Sequence, residues 1–285
     1  MSGRRLLLVH AHPDDESITT GAVMAHYAQR GVRVVLLTCT LGEEGEVLVP
    51  ALQGLAADRA DQLGGYRIAE LGAAMGALGV TDHRFLGGAG HFRDSGMAGS
   101  SANAHPRAFC RADGDATVFT EAVEAAADVV REVRPDAVVT YDPDGGYGHP
   151  DHVMAHRVTM AAVVAAAEGG ADAWSVPRVF WTADPDSVLD RDVAALADRP
   201  DAPFSADRAA LSFGVPDRLV TTVVDAADGR DAKRSALLAH ATQVSVWSDF
   251  YALSNGLGRL VSGTEYFRAA PGYPAPPSDL FGDVA

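Results

Sequence analysis

A four-residue apolar run, Leu6-Leu7-Leu8-Val9, leads straight into His10-Ala11-His12-Pro13-Asp14-Asp15-Glu16, where five ionisable side chains fall in seven residues. A short Leu/Val run of this kind has the character of a strand buried on both faces, and such strands belong to parallel sheets covered by helices on either side. In open sheets of that class ligands bind past the carboxyl ends of the strands. The charges therefore stand where chemistry is done. His12 and Asp15 are three residues apart, and Pro13 between them fixes its own φ and removes a donor, so a stiff turn can aim an imidazole and a carboxylate at one metal ion. Asp14, between the two, is placed to take a proton from an attacking water.

A single His/Asp pair after a strand is as well explained by a helix cap. A second cluster makes that explanation untenable. Tyr147-Gly148-His149-Pro150-Asp151-His152 follows another apolar run, Ala137-Val138-Val139-Thr140-Tyr141, and again precedes a helical pattern. Two histidines and one carboxylate are the smallest set that leaves zinc an open position, with bonds of roughly 2.0–2.2 Å. Spacing leaves either His149 or His152 as the third ligand: His152 begins a helix, whereas His149 sits on the loop and is freer to act as a proton donor. Asp151 could orient His149 by accepting its second ring proton, and Tyr147 could donate to a developing oxyanion.

The remaining pattern predicts an alternation of strands and helices. Helices are expected over Ser17–Arg30, Thr117–Arg134, Asp151–Ala167 and Ala227–Ala241, and two more between Leu52 and Leu78, interrupted at Gly64-Gly65. Strands are expected at Arg33–Thr38, His83–Leu86, Ala137–Tyr141, Arg178–Thr182 and Leu219–Val224. Glu43 and Glu44 read as members of a solvated loop, and Gly87–Gly114 as a long functional loop in which Arg93 and Asp94 could bind a polyol. In a sheet of order 3-2-1-4-5 the first and fourth strands are neighbours at the topological switch point, so both clusters line one crevice. A dinucleotide is excluded: the loop after the first strand lacks Gly-x-Gly-x-x-Gly and its charges would repel a pyrophosphate.

The sequence has 285 residues, enough for one large α/β domain (1–182) and a smaller C-terminal lobe (183–285) that completes the substrate pocket. The net charge of −15 argues against nucleic-acid and anionic-membrane partners, which need basic footprints, and favours a small molecule. Two cysteines, Cys39 and Cys110, make no disulfide framework, no run is long and apolar enough for a bilayer span or signal peptide, and a reducing cytoplasm is the expected compartment.

With both clusters in view, His12-Pro13-Asp14-Asp15-Glu16 and His149-Pro150-Asp151-His152 resemble the N-acetylglucosaminyl-phosphatidylinositol deacetylase (LmbE-like) family of zinc-dependent amide hydrolases. Thr38–Glu46, Gly64–Arg67, Arg93–Met97, Thr140–Pro143, Gly145–Gly148 and His240-Ala241-Thr242-Gln243 are similar to its actinobacterial mycothiol-biosynthesis branch, which includes an N-acetyl-glucosaminyl-inositol deacetylase and a mycothiol S-conjugate amidase. The resemblance implies a Rossmann-like fold, one Zn2+ per chain (Fe2+ or Co2+ being possible) on His12, Asp15 and His152, Asp14 as base and His149 as transition-state acid. It implies N-deacetylation of 1-O-(2-acetamido-2-deoxy-α-D-glucopyranosyl)-myo-inositol, with Arg67 and Asp94 as partners for its hydroxyls. The amidase usually carries a lysine just after the Asp-Asp-Glu motif, where this chain has Ser17-Ile18-Thr19-Thr20; its one lysine is Lys233. A binuclear hydrolase would instead use His10 with His12, and an Fe(II) oxygenase would set two histidines and a carboxylate on a β scaffold.

Overall fold

The structure, a computed structural model, describes residues 3–168 and 170–282. The outer ends of the two expected segments, 1–2 and 283–285, lie outside the described residues. Strand β1 (Arg5–His10) is followed by helices α1 (Asp15–Thr19) and α2 (Gly21–Gln29), β2 (Arg33–Thr38), α3 (Leu63–Leu78), β3 (Asp82–Phe85), α4 (Ala116–Val133) and β4 (Ala137–Thr140). The chain continues through α5 (Gly145–Gly148), α6 (Pro150–Ala167), β5 (Val179–Ala183), α7 (Asp186–Ala197), β6 (Thr222–Asp225) and α8 (Arg230–Ala239). Strands β7 (Ser245–Trp247), β8 (Phe250–Ala252), β9 (Arg259–Leu260) and β10 (Thr264–Ala269) complete it.

The main sheet has the order β3-β2-β1-β4-β5-β10-β6, so the expected parallel order 3-2-1-4-5 holds for the first five strands. Leu8 lies opposite Leu36 on one side and Val139 on the other. Because successive side chains point to opposite faces, Leu7, Val9, Val35, Leu37 and Val138 pack under α4 and α6, while Leu6, Leu8, Val34, Leu36 and Val139 pack under α2, α3 and α8. Burying each such side chain contributes roughly 1.5–3 kcal/mol, and a strand apolar on both faces gains on both. The Ala/Val stripe of α4 (Ala122, Ala126, Ala127, Val130) lets it lie close on α6.

Local signals explain most helix ends. Asp115 caps α4 by accepting from the Thr117 amide, and α4 closes with Arg134 in the left-handed region just before Pro135. His149 caps α6, and Pro150 occupies the first position, where its missing N–H costs nothing. Two helical expectations are corrected. Ser17–Arg30 is split at Thr20, because the amides of Ala22 and Val23 are capped by the Glu265 carboxylate from β10, which starts a new helix there. Leu52–Leu78 is a 3-10 turn (Pro50–Leu55) followed by one helix, not two. Gly64 lies in the first turn of α3 and serves close approach: a Cβ there would sit 2.7 Å from Glu43 Cγ.

The C-terminal segment is set apart less sharply than the sequence suggests. Antiparallel β10 and β6 extend the main sheet, whereas β7-β8-β9 form a separate three-stranded sheet. The join is a buried ion pair: Lys233 Nζ on α8 donates to Glu265 Oε1 at 2.8 Å, both side chains at most 5% exposed. Removing one partner of such a pair leaves the other charge buried and unpaired. Lys233→Ala is therefore expected to lose about 3–5 kcal/mol of stability in urea denaturation followed by circular dichroism. A loss no larger than the ~1 kcal/mol of an exposed pair would show that the α2 cap stands without its counter-charge.

Candidate metal centre and active-site pocket

The β1 and β4 ends open into a cavity of about 550 Å³ lined by His12, Asp14, Asp15, Arg67, Asp94, Tyr147, His149 and His152 from the N-terminal half and by Asp184, Phe213, Tyr251, Asn255 and Arg259 from the C-terminal half. Among the described residues no helix is long and apolar enough to cross a membrane.

Asp15 is fixed by two donors: its Oδ2 accepts from the His12 amide at 2.9 Å and from the Tyr141 hydroxyl at 2.7 Å, and Tyr141 in turn accepts from the Ala11 amide. The same oxygen lies 3.4 Å from His12 Nδ1 and 3.5 Å from His152 Nε2. Those separations match the edge of a tetrahedron of ligands with bonds near 2.1 Å, about 3.4 Å. His152 Nε2 is buried without a hydrogen-bond partner, and its ring is stacked on Tyr141 at 4.2 Å between centroids. An orphaned imidazole nitrogen of this kind can serve as a ligand to a cation. Three buried carboxylates, of Asp14, Asp15 and Asp94, line the cavity here, with that of Asp151 behind His12, and a positive ion would offset the cost of crowding them. His149 also lies within reach, since ligand atoms of His12, His149 and His152 are all within 4.8 Å of one another.

The far side of His12 is where the sequence expectation for Asp151 is corrected. Asp151 Oδ2 lies 3.3 Å from His12 Nε2, and its carboxylate takes both the amide and the hydroxyl of Ser95, so its side chain orients His12 and not His149. That is the usual bond from a metal-binding imidazole to a carboxylate behind it. His149 is oriented instead by the Asp151 backbone: its Nδ1 accepts the Asp151 amide at 3.2 Å, which leaves the ring proton on Nε2. Burial, with His12 and His152 nearby, pushes the His149 pKa down to about 3, so it is a neutral donor. Tyr147, exposed at the rim between left-handed glycines, stands over these rings with its centroid 5.0 Å from His152 and 6.1 Å from His149.

Asp14 has φ 124° and ψ −32°, a conformation that costs a non-glycine residue of order 1–3 kcal/mol and accumulates at functional sites. Burial pushes its pKa up to about 6, against the opposing pull of Arg67, whose Nη2 is 3.1 Å from Asp14 Oδ2. Arg67 also donates to the carbonyls of Gly42 and Pro13. It lines the cavity, but its first contact is Asp14. Asp94 is similarly engaged, accepting from the Gly96 and Glu44 amides and standing 3.4 Å from His12 Nε2.

Other expected residues are placed elsewhere. His10 is absent from the cavity wall and bonds Thr20 Oγ1 at 3.0 Å, which removes the pair a binuclear centre would need. Arg93 is held by Glu44 and Asp61, His91 by Glu121, and His105 by the Arg107 amide. Glu43, expected on a solvated loop, is buried and accepts the Asp94 amide. Sequence reasoning missed Tyr141 and Ser95. The signal for Tyr141 was its place one residue past β4, and for Ser95 its place in the Arg93–Met97 segment that carries the family resemblance.

The comparisons with known proteins make this chain an amide hydrolase. The PIG-L family, described as GlcNAc-PI de-N-acetylase, matches residues 7–163, and the chain belongs to it. Over 279 residues it is 58% identical to the 1D-myo-inositol 2-acetamido-2-deoxy-alpha-D-glucopyranoside deacetylase of Geodermatophilus obscurus, covering 94% of this chain and 92% of that one. A protein of the same name from Acidothermus cellulolyticus is 53% identical over 289 residues, covering 99% and 95%. In fold the chain is similar to the N,N'-diacetylchitobiose deacetylase of Pyrococcus horikoshii, with a TM-score of 0.58 at 17% identity over 94% of this chain and 84% of that chain.

The Gly42 turn tests the Arg67 support. Gly42 has φ +66°, and a Cβ there would meet Arg67 Nη1 at 2.1 Å. Gly42→Ala is expected to lower thermal stability by at least about 1 kcal/mol and to reduce turnover by moving the guanidinium off Asp14. Unchanged unfolding temperature and unchanged turnover together would refute that support.

Proposed function

We propose that this chain is a metal-dependent N-deacetylase that hydrolyses the acetamide of 1-O-(2-acetamido-2-deoxy-α-D-glucopyranosyl)-myo-inositol, the deacetylation step of mycothiol biosynthesis. The observation that carries the reading is the full-length identity to deacetylases named for this substrate, which spans the C-terminal wall of the pocket as well as the metal-centre motifs. His12, Asp15 and His152 hold the ion, with zinc the first choice and iron(II) or cobalt(II) acceptable to the same donors. The ion supplies Lewis-acid chemistry, polarising the amide carbonyl and making the attacking water a stronger acid.

Asp14 takes the proton as the water oxygen adds to the acetyl carbon. His149 Nε2–H and the Tyr147 hydroxyl donate to the oxygen on which charge develops. The carbon–nitrogen bond then breaks, the proton goes to the amine nitrogen, and acetate leaves. Arg67 holds Asp14, Asp94 and Asp151 steady His12, and the remaining N–H of Arg67 and lone pairs of Asp94 face the sugar hydroxyls. The conjugate amidase is disfavoured by one observation: Ile18 and Thr19 line the cavity where a lysine would reach it, and Lys233 is committed to Glu265.

Two measurements test these assignments. Alanine at His12, Asp15 or His152 is expected to abolish metal binding and activity together, whereas Asp14→Asn keeps its metal and loses about 10²–10⁴-fold in turnover. A ligand variant with full metal content, or an Asp14→Asn enzyme close to wild type, would overturn the corresponding role. On substrate choice, kcat/KM for the acetylated pseudodisaccharide is expected to exceed that for a mycothiol S-conjugate, and the opposite order would assign the amidase reaction.

A further inference from the structure

Behind Asp14, on the side away from the cavity, lies a fully buried pair that the reaction does not touch. Glu16 and His240 are both 0% exposed, and His240 Nε2 is 2.8 Å from Glu16 Oε1. The other Glu16 oxygen, Oε2, accepts the Asp14 amide at 2.9 Å. Ser17 Oγ donates to Oε1 at 2.6 Å, so the carboxylate is gripped on both oxygens. His240 Nδ1 has no partner, so the ring's one hydrogen bond is the Nε2–H donated to Glu16.

We propose that His240, acting through Glu16, is a positioning residue for the base: it fixes the carboxylate that holds the Asp14 backbone in its left-handed conformation. Three features support this. Asp14 needs such a hold, since its φ of 124° belongs to glycine and its side chain, turned to Arg67, makes no bond to the helix it caps. The Glu16–Asp14 bond is made to the strained residue's own amide. His240 comes from the end of α8, more than two hundred residues away, and is itself anchored. Its carbonyl accepts the Gln243 and Val244 amides, and Thr242 in the same turn bonds Glu70 on α3, the helix that carries Arg67. The C-terminal segment thus sets both the backbone of the base and the helix bearing its guanidinium partner.

The inference rests on Asp14 being the base, and the test separates the two. His240→Leu keeps volume but removes the donor; a misplaced base is expected to lower kcat about 10²-fold, with KM and bound metal unchanged. His240→Gln, which can still donate to Glu16, is expected to recover most of that loss. Equal turnover in the leucine variant and the wild type, or equal loss in the leucine and glutamine variants, would overturn the proposal, because packing alone would then account for His240. Should the leucine variant not fold, His240→Gly with imidazole added to the assay replaces it: recovery of kcat supports the proposal and its absence refutes it. Asp14→Asn run alongside identifies a failure of the base assignment itself, since that variant would then remain active.

Discussion

The pairing of β1 with β4 is the interaction on which the site depends. Both strands are apolar on both faces, so they occupy the middle of the sheet, where helices cover each side, and their carboxyl ends emerge together. The chain reverses its winding direction between them. His12 and Asp15 leave one strand, Tyr141, His149 and His152 follow the other, and Tyr141 ties the two by taking the Ala11 amide and giving its hydroxyl hydrogen to Asp15. The floor of the cavity is thus held by backbone pairing, while loops complete its walls.

Charge is the second constraint. Buried carboxylates outnumber buried cations at the strand ends, and burying a charge without a partner is costly. The chain meets that cost with fixed donors, including the Ser95 amide and hydroxyl for Asp151, the Gly96 and Glu44 amides for Asp94, and Arg67 for Asp14. Asp15 alone offers one oxygen both to its donors and to the open space between His12 and His152.

The C-terminal hundred residues contribute support more than separate machinery. Glu265 caps α2 from β10, Lys233 neutralises it, Thr242 holds α3 through Glu70, and Arg259 joins Asp184 in the far wall of the cavity to Asp192 on α7. These contacts explain how a segment with weak secondary-structure pattern is ordered: it is fixed by buried ionic bonds to elements already formed, not by its own periodicity.

The sequence by itself determined the parallel core, the order of its first five strands and the two His/Asp clusters, because buried strands and proline-stiffened turns are written in adjacent residues. It also placed both clusters in one crevice, which follows from strand order alone. Only the tertiary structure decided which nitrogen meets which oxygen. Asp151 sits beside His149 in the chain, yet its carboxylate turns to His12, because Ser95 from a distant loop fixes its direction. The ion pair of Arg67 with Asp14 is likewise made only when α3 packs against β1, and the break at Thr20 is imposed by Glu265 from far along the chain. These features depend on side chains brought together across more than fifty residues, where no local period carries information and the balance of burial and hydrogen bonding is settled only when the whole chain has packed.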